Sequence, residues 1–285
     1  MYINAYTTPE RIIRQLEKAD SGDLPTEADS AYAEFFTTVK SYCVEISDWY
    51  THTVFQPFVP YYEAKLLYFN ELCRDNKLHN YLLTLPEPLV EVDQIDWVDT
   101  EVTSTYYRLL NGYRAQRTPY VNIQFDSRGI TSGNGDFDDA ITITGWWAYH
   151  SNYAQAYTSV EAVTANDSAT TITVIDSTVY DTYDYIRLED ELIWITTLTD
   201  ATTLTVERGV NGTTAAAHAA KTIQRYTVQP AVQHALTRFV AWAYDNRSNF
   251  GTLQFTDGSA VVQAMPTYVQ ETINAFMTPD IFGSI

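Results

Sequence analysis

The stretch TEADSAYAEFFTTVKSYCVEISDWYT, residues 26–51, decides how the fold is read. Within it Tyr32, Phe35, Phe36, Val39, Tyr42, Cys43, Ile46 and Trp49 advance by three and four residues. That spacing draws one apolar stripe along a helix of about six turns, with the hydroxyl of Thr26 as its capping group. A lone helix cannot bury such a stripe, so the chain must supply partners for it.

Candidate partners lie at both ends. Thr8-Pro9-Glu10 places a capping hydroxyl before a proline at the first helical position, and Ile12, Ile13 and Leu16 follow at helical spacing until Ser21-Gly22. After Val228-Gln229-Pro230, the residues Val232, Ala235, Leu236, Phe239, Val240 and Ala243 trace one helical face as far as Asn246. A last short helix is predicted from Pro266, using Val269, Ile273 and Phe276 and stopping before Thr278-Pro279.

Between these ends the period changes. Pro57 and Pro60 interrupt the helical pattern, and residues 62–73 fit either a strand or a helix. From Leu85-Pro86-Glu87-Pro88-Leu89 onward Ile95 and Trp97, then Val121, Ile123 and Phe125, then Ile141 and Ile143 alternate with polar residues, as strands do. Residues 161–226 hold shorter runs, Ile172/Val174, Ile186/Leu188, Ile193/Ile195, Leu204/Val206 and Ile223, separated by Asp, Thr, Asn and Gly turn chemistry.

The expected class is therefore α+β, with amino- and carboxy-terminal helices closing into one helical domain around inserted sheets. The expected segments are 1–75 (helical, first part), 76–160 (antiparallel β region), 161–226 (small all-β module) and 227–285 (helices completing the first domain, with a tail).

Composition narrows the function. Of 285 residues 45% are hydrophobic and 19% charged, within the globular range. The 22 Tyr, 12 Phe and 6 Trp favour sheet surfaces and subunit contacts. A formal net charge of −19 leaves little capacity to neutralise phosphates, which excludes a protein that grips DNA over most of its surface. Nine acids against Arg187 alone in residues 161–200 predict an acidic module surface that repels polyanions. No signal peptide or membrane span is expected, and Cys43 and Cys73 are read as buried thiols.

Motifs for metal, phosphate or cofactor chemistry are missing from the sequence, and the five histidines are scattered. No cofactor, metal site or catalytic residue is expected. Asn134-Gly135-Asp136-Phe137-Asp138-Asp139 departs from a calcium loop and reads as a solvated acidic turn. Glu189-Asp190-Glu191 with Trp194 has the residue types of a glycosidase site, but its spacing better suits a strand end turning into the next strand. Arg208-Gly209-Val210-Asn211-Gly212-Thr213 is a turn by its glycines and Asn-Gly pair, with Arg208 expected in solvent by default and a salt bridge to a neighbour as the alternative. Gly145-Trp146-Trp147-Ala148-Tyr149-His150 reads as a strand end with rings packed on a sheet, or as an interface anchor.

Residues 188–195, with their acidic turn, followed by the "RGxNGT" turn at Arg208 and the Ala215-Ala216-Ala217-His218 run, resemble a β module frequent in virion proteins of tailed bacteriophages. Thr7 to Glu17, the helix from Thr26 and its Phe55-Gln56-Pro57 exit resemble the amino-terminal helices of phage head–tail connector proteins. Residues 85–109 and 141–150 resemble the β region of longer members, where glycine commonly stands in place of Ala148.

The resemblance implies a non-enzymatic structural virion protein of the neck, assembled in the host cytoplasm. It implies a homo-oligomeric, twelve-fold adaptor ring that joins the portal protein to a tail-completion or tail tube protein, with DNA only as passing cargo and no membrane contact. It also implies a portal-facing tail containing Thr278, Pro279, Asp280, Ile281, Phe282 and Ile285. Two other readings stand beside it, another phage tail or baseplate part and a carbohydrate-binding protein.

Overall fold

A computed structural model describes residues 2–18, 24–54, 56–68, 73–75, 80–97, 100–111, 119–126, 140–157, 170–218, 222–246, 254–256, 259–261 and 266–276. The fold is α+β, and the chain separates into two compact units.

The first unit comprises Met1–Tyr2, Gln56–Ser151 and Asn211–Thr213. Its antiparallel sheet contains β1 (Tyr61–Tyr68), β2 (Cys73–Asp75), β3 (Asn80–Trp97), β4 (Thr100–Glu101), β5 (Tyr107–Asn111), β6 (Tyr120–Asp126) and β7 (Ala140–Trp147). The order is β1-β7-β3-β6-β5, with β2 and β4 added to β3. Leu83, Leu85, Leu89, Ile95, Ile123, Phe125, Ile141, Ile143 and Trp147 form its core.

The central strand β3 carries two prolines, which cannot donate to a ladder. Pairing of β3 with β6 stops at Thr84 and resumes at Leu89, so Pro86 and Pro88 fall in the gap. The carbonyl of Pro88 accepts from Ala148 N–H at 3.0 Å. On the other side of β3, Gly145 of β7 lies so close that a Cβ there would sit 2.2 Å from the Glu91 carbonyl oxygen.

The second unit comprises Ile3–Phe55, Asn152–Val210 and Thr214–Ile285. It contains α1 (Pro9–Lys18), α2 (Tyr32–Val54), β8 (Tyr153–Tyr157), β9 (Thr171–Thr173), β10 (Tyr185–Leu188), β11 (Glu191–Leu198), β12 (Thr203–Glu207), β13 (Ile223–Tyr226), α3 (Pro230–Asp245), the hairpin β14 (Gln254–Thr256) and β15 (Ser259–Val261), and α4 (Thr267–Phe276). Its six-stranded sheet runs β8-β13-β10-β11-β12-β9.

Ile12 and Leu16 of α1, Phe35, Val39 and Cys43 of α2, and Val240, Ala241 and Tyr244 of α3 share one buried cluster. The Tyr50 hydroxyl of α2 donates to the Thr272 carbonyl of α4 at 3.3 Å. The stretch before α1 is also fixed. Tyr185 Oη accepts from Ala5 N–H at 3.0 Å and donates to the Ile3 carbonyl at 2.9 Å, while Tyr6 N–H donates to Ser47 Oγ at 2.9 Å.

The architecture differs from the sequence expectation at three points. α2 starts at Tyr32, not after Thr26, because the Asp29 carboxylate accepts from Thr26 N–H at 2.7 Å and from its hydroxyl at 2.8 Å, closing a local turn that competes with the helix. Segment 1–75 divides: its helices lie in the second unit, and the ambiguous stretch beyond Pro60 begins with the strand Tyr61–Tyr68 of the first. The described residues of the module at 161–226 fall in the same compact unit as the helices, except Asn211–Thr213, which belong to the first unit.

Gly145→Ala forces a methyl group onto the Glu91 carbonyl, and we expect it to lower stability by about 1–3 kcal/mol in chemical denaturation. An unchanged denaturation midpoint would show that β3 and β7 can separate at low cost.

Candidate functional site

The densest polar chemistry in the second unit surrounds Glu191. It is the first residue of β11, directly after a two-residue hairpin loop in which Glu189 adopts a φ of 53°. Its side chain is fully buried. Oε1 accepts from Arg208 Nε at 2.9 Å and from Gly209 N–H at 3.0 Å. Oε2 accepts from Arg208 Nη2 and from Ala216 N–H at 3.1 Å, and lies 2.7 Å from His218 Nε2. The other ring nitrogen of His218 is 2.8 Å from Glu189 Oε2, and Arg208 also donates to the Ala216 carbonyl.

Four N–H groups thus donate to the two carboxylate oxygens, which matches the roughly four lone-pair sites of that group, and the His218 ring lies against it as a fifth polar neighbour. The Arg208 side chain is 3% exposed, so the default of a solvated arginine gives way to the salt-bridged alternative, one arm of a buried, bidentate ion pair. Burial alone would raise the Glu191 carboxyl above its ordinary 4.5; the hydrogen bonds from Arg208, His218 and Ala216 outweigh it and hold it lower.

A second buried acid behaves oppositely. Burial pushes Asp184 up to about 7 from 3.8, although Arg225 opposes the rise from 2.7 Å. The nine acids of residues 161–200 are therefore not all surface charge. Asp184 and Glu191 are interior, and Asp181 is flanked by Arg11, Arg14 and Arg225. The acidity expected of this module is thus divided between its surface and its interior.

The other candidates resolve individually. Glu189-Asp190 is a turn, and Trp194 is buried and stacked on Tyr183 with ring centroids 4.5 Å apart. Trp146 and Trp147 pack inside the first unit, where Trp147 Nε1 donates to the Glu63 carbonyl at 3.1 Å. Cys43 is a buried thiol in α2; Cys73 falls in β2, with its side chain outside the described residues. The acidic turn at Asn134 and the tail residues Thr278, Pro279, Asp280, Ile281, Phe282 and Ile285 lie outside the described residues. Among the described residues there is no cluster of metal-ligating side chains and no helix long and apolar enough to cross a membrane.

Neither a family model, nor a curated protein, nor a solved structure matches the chain. The geometry itself is a closed clasp. It joins the β10–β11 hairpin, the exit of β12 and the run ending at His218, and sequence reasoning did not bring Glu191, Arg208 and His218 together.

Arg208→Ala leaves the Glu191 carboxylate buried without its main partner, and we expect a loss of roughly 3–5 kcal/mol in unfolding free energy. The two acids give stability opposite dependences on pH. Glu191, depressed, stabilises the fold above the ordinary 4.5 and loses that contribution as pH falls through its folded value. Asp184, raised from 3.8 to about 7, holds in the folded state a proton already released on unfolding, so its contribution declines as pH rises between those values. Denaturation midpoints of Asp184→Asn followed over this range should show a flatter profile than those of the parent.

Proposed function

We propose that this protein is a structural component of a tailed-bacteriophage particle, a head–tail adaptor that forms a ring between the portal protein and the tail. The observation that carries the reading is the composition of the clasp. Glu191, Arg208, Gly209, Ala216 and His218 are residues of the stretch that resembles the virion β module, and they bind to one another. A motif whose polar members are engaged in holding the module together has the character of a shared scaffold, in which its side chains serve shape and not turnover.

Two further features support an assembly role. The net charge of −19 suits a conduit past which DNA moves without adhering. The shared core of the terminal helices supplies a rigid base on which interaction surfaces can be carried. On this reading the ring is twelve-fold, the partners are the portal above and a tail-completion or tail tube protein below, and residues 278–285 reach the portal.

Negative-stain microscopy of the protein mixed with portal-bearing heads tests it. The expected result is a ring of added density at the portal vertex, lost when residues 278–285 are deleted. Binding to a baseplate or tail tip instead of the portal vertex would assign the protein to another part of the particle.

A further inference from the structure

Three arginines converge on one carboxylate in the second unit. Arg11 and Arg14 of α1 and Arg225 of β13 approach Asp181 at 3.5, 3.6 and 3.5 Å. Charge-assisted pairs close to about 2.7–2.9 Å when unimpeded. Only Arg225 reaches that distance, and it does so on Asp184 at 2.7 Å while also donating to the Val179 carbonyl. Arg11 Nε is shielded from solvent and makes no hydrogen bond. Positive charge is thus gathered around an acid that does not fully satisfy it.

These residues line a cleft of about 620 Å³, to which Lys18 and His234 add further basic groups. Asp181 is the one acid among its lining residues, and four of the chain's 17 Lys and Arg stand there in a protein of net charge −19. General solubility selection does not place cations in this way, since it disperses them among acids.

We infer that the cleft binds the carboxylates of an acidic peptide segment. Its volume is many times that of a single small anion. Arg11, Arg14 and Lys18 follow one another at three and four residues along α1, which spreads their charges over roughly 10 Å of one helical face. Acidic side chains on alternate residues of an extended peptide are about 7 Å apart, so two or three of them match that row. The fork of a guanidinium takes a carboxylate in two parallel hydrogen bonds. A DNA duplex, with a charge every ~1.7 Å, meets the repulsion of the whole acidic protein, whereas a short peptide with few charges meets little of it.

The test is calorimetric titration of the full chain, at low ionic strength, with a blocked octapeptide of alternating Glu and Ser; inorganic phosphate and a short DNA duplex serve as the comparison ligands. The expected result is peptide binding that salt weakens and that Arg14→Gln combined with Lys18→Gln reduces roughly tenfold. Both side chains are exposed, and an unchanged circular dichroism spectrum would confirm an intact fold; Lys18→Glu, at the last turn of α1, is the second variant should the pair misfold. No peptide binding, equal binding by the variants, or tighter binding of phosphate or duplex would each overturn the inference. The outcome is independent of whether the protein forms a ring.

Discussion

A carboxylate can stay ionised out of water only if donors replace the hydration it loses, and the second unit is organised around one residue for which this has been done. Glu191 begins β11, so its position follows from the β10–β11 hairpin, while its donors come from the exit of β12 and from residues 216 and 218. The backbone must bend sharply to deliver them. Glu189 and Gly209 take left-handed conformations, with φ of 53° and 61°. A buried ion pair contributes little net stability compared with apolar packing, but it penalises every arrangement that leaves the charge unpaired. In this unit it selects one path for a long irregular stretch.

Asp184 shows what happens when the same burial meets fewer donors. Its Oδ2 accepts from Asp181 N–H at 2.7 Å and pairs with Arg225, two partners against the five of Glu191. One acid is held below its ordinary range and the other is pushed up to about 7. Two of the acids counted in the chain's net charge are therefore interior, each paired with an arginine. Burying some acids and gathering arginines around Asp181 leaves a locally basic cleft in an acidic protein.

The first unit solves a different problem, the routing of a proline-bearing strand through the middle of a sheet. Pro86 and Pro88 are tolerated because pairing with β6 is suspended there, while β7 closes against β3 beyond them through Gly145. Residues Asn211–Thr213 belong to this unit as well. Gly212, with a φ of 84°, lies where a Cβ would collide with the Tyr62 carbonyl, and Tyr62 N–H donates to the Asn211 carbonyl at 2.8 Å. Asn-Gly serves here as a point of close backbone approach as well as a turn.

The sequence by itself determined the helices and most strands, because their signal is periodic and local. The stripe of Val232, Ala235, Leu236, Phe239, Val240 and Ala243 and the alternation of Ile123 and Phe125 are visible in any short window. It also identified the turn at Asn211-Gly212, whose residue types permit positive φ. Only the tertiary structure decided that Glu191, Arg208 and His218, separated by 17 and 27 residues, form one buried group, that Arg208 is not in solvent, and that Arg11, Arg14 and Arg225 share a cleft. A charged side chain looks alike in a sequence whether water or another side chain satisfies it, and the difference arises only when strands distant along the chain are brought into register.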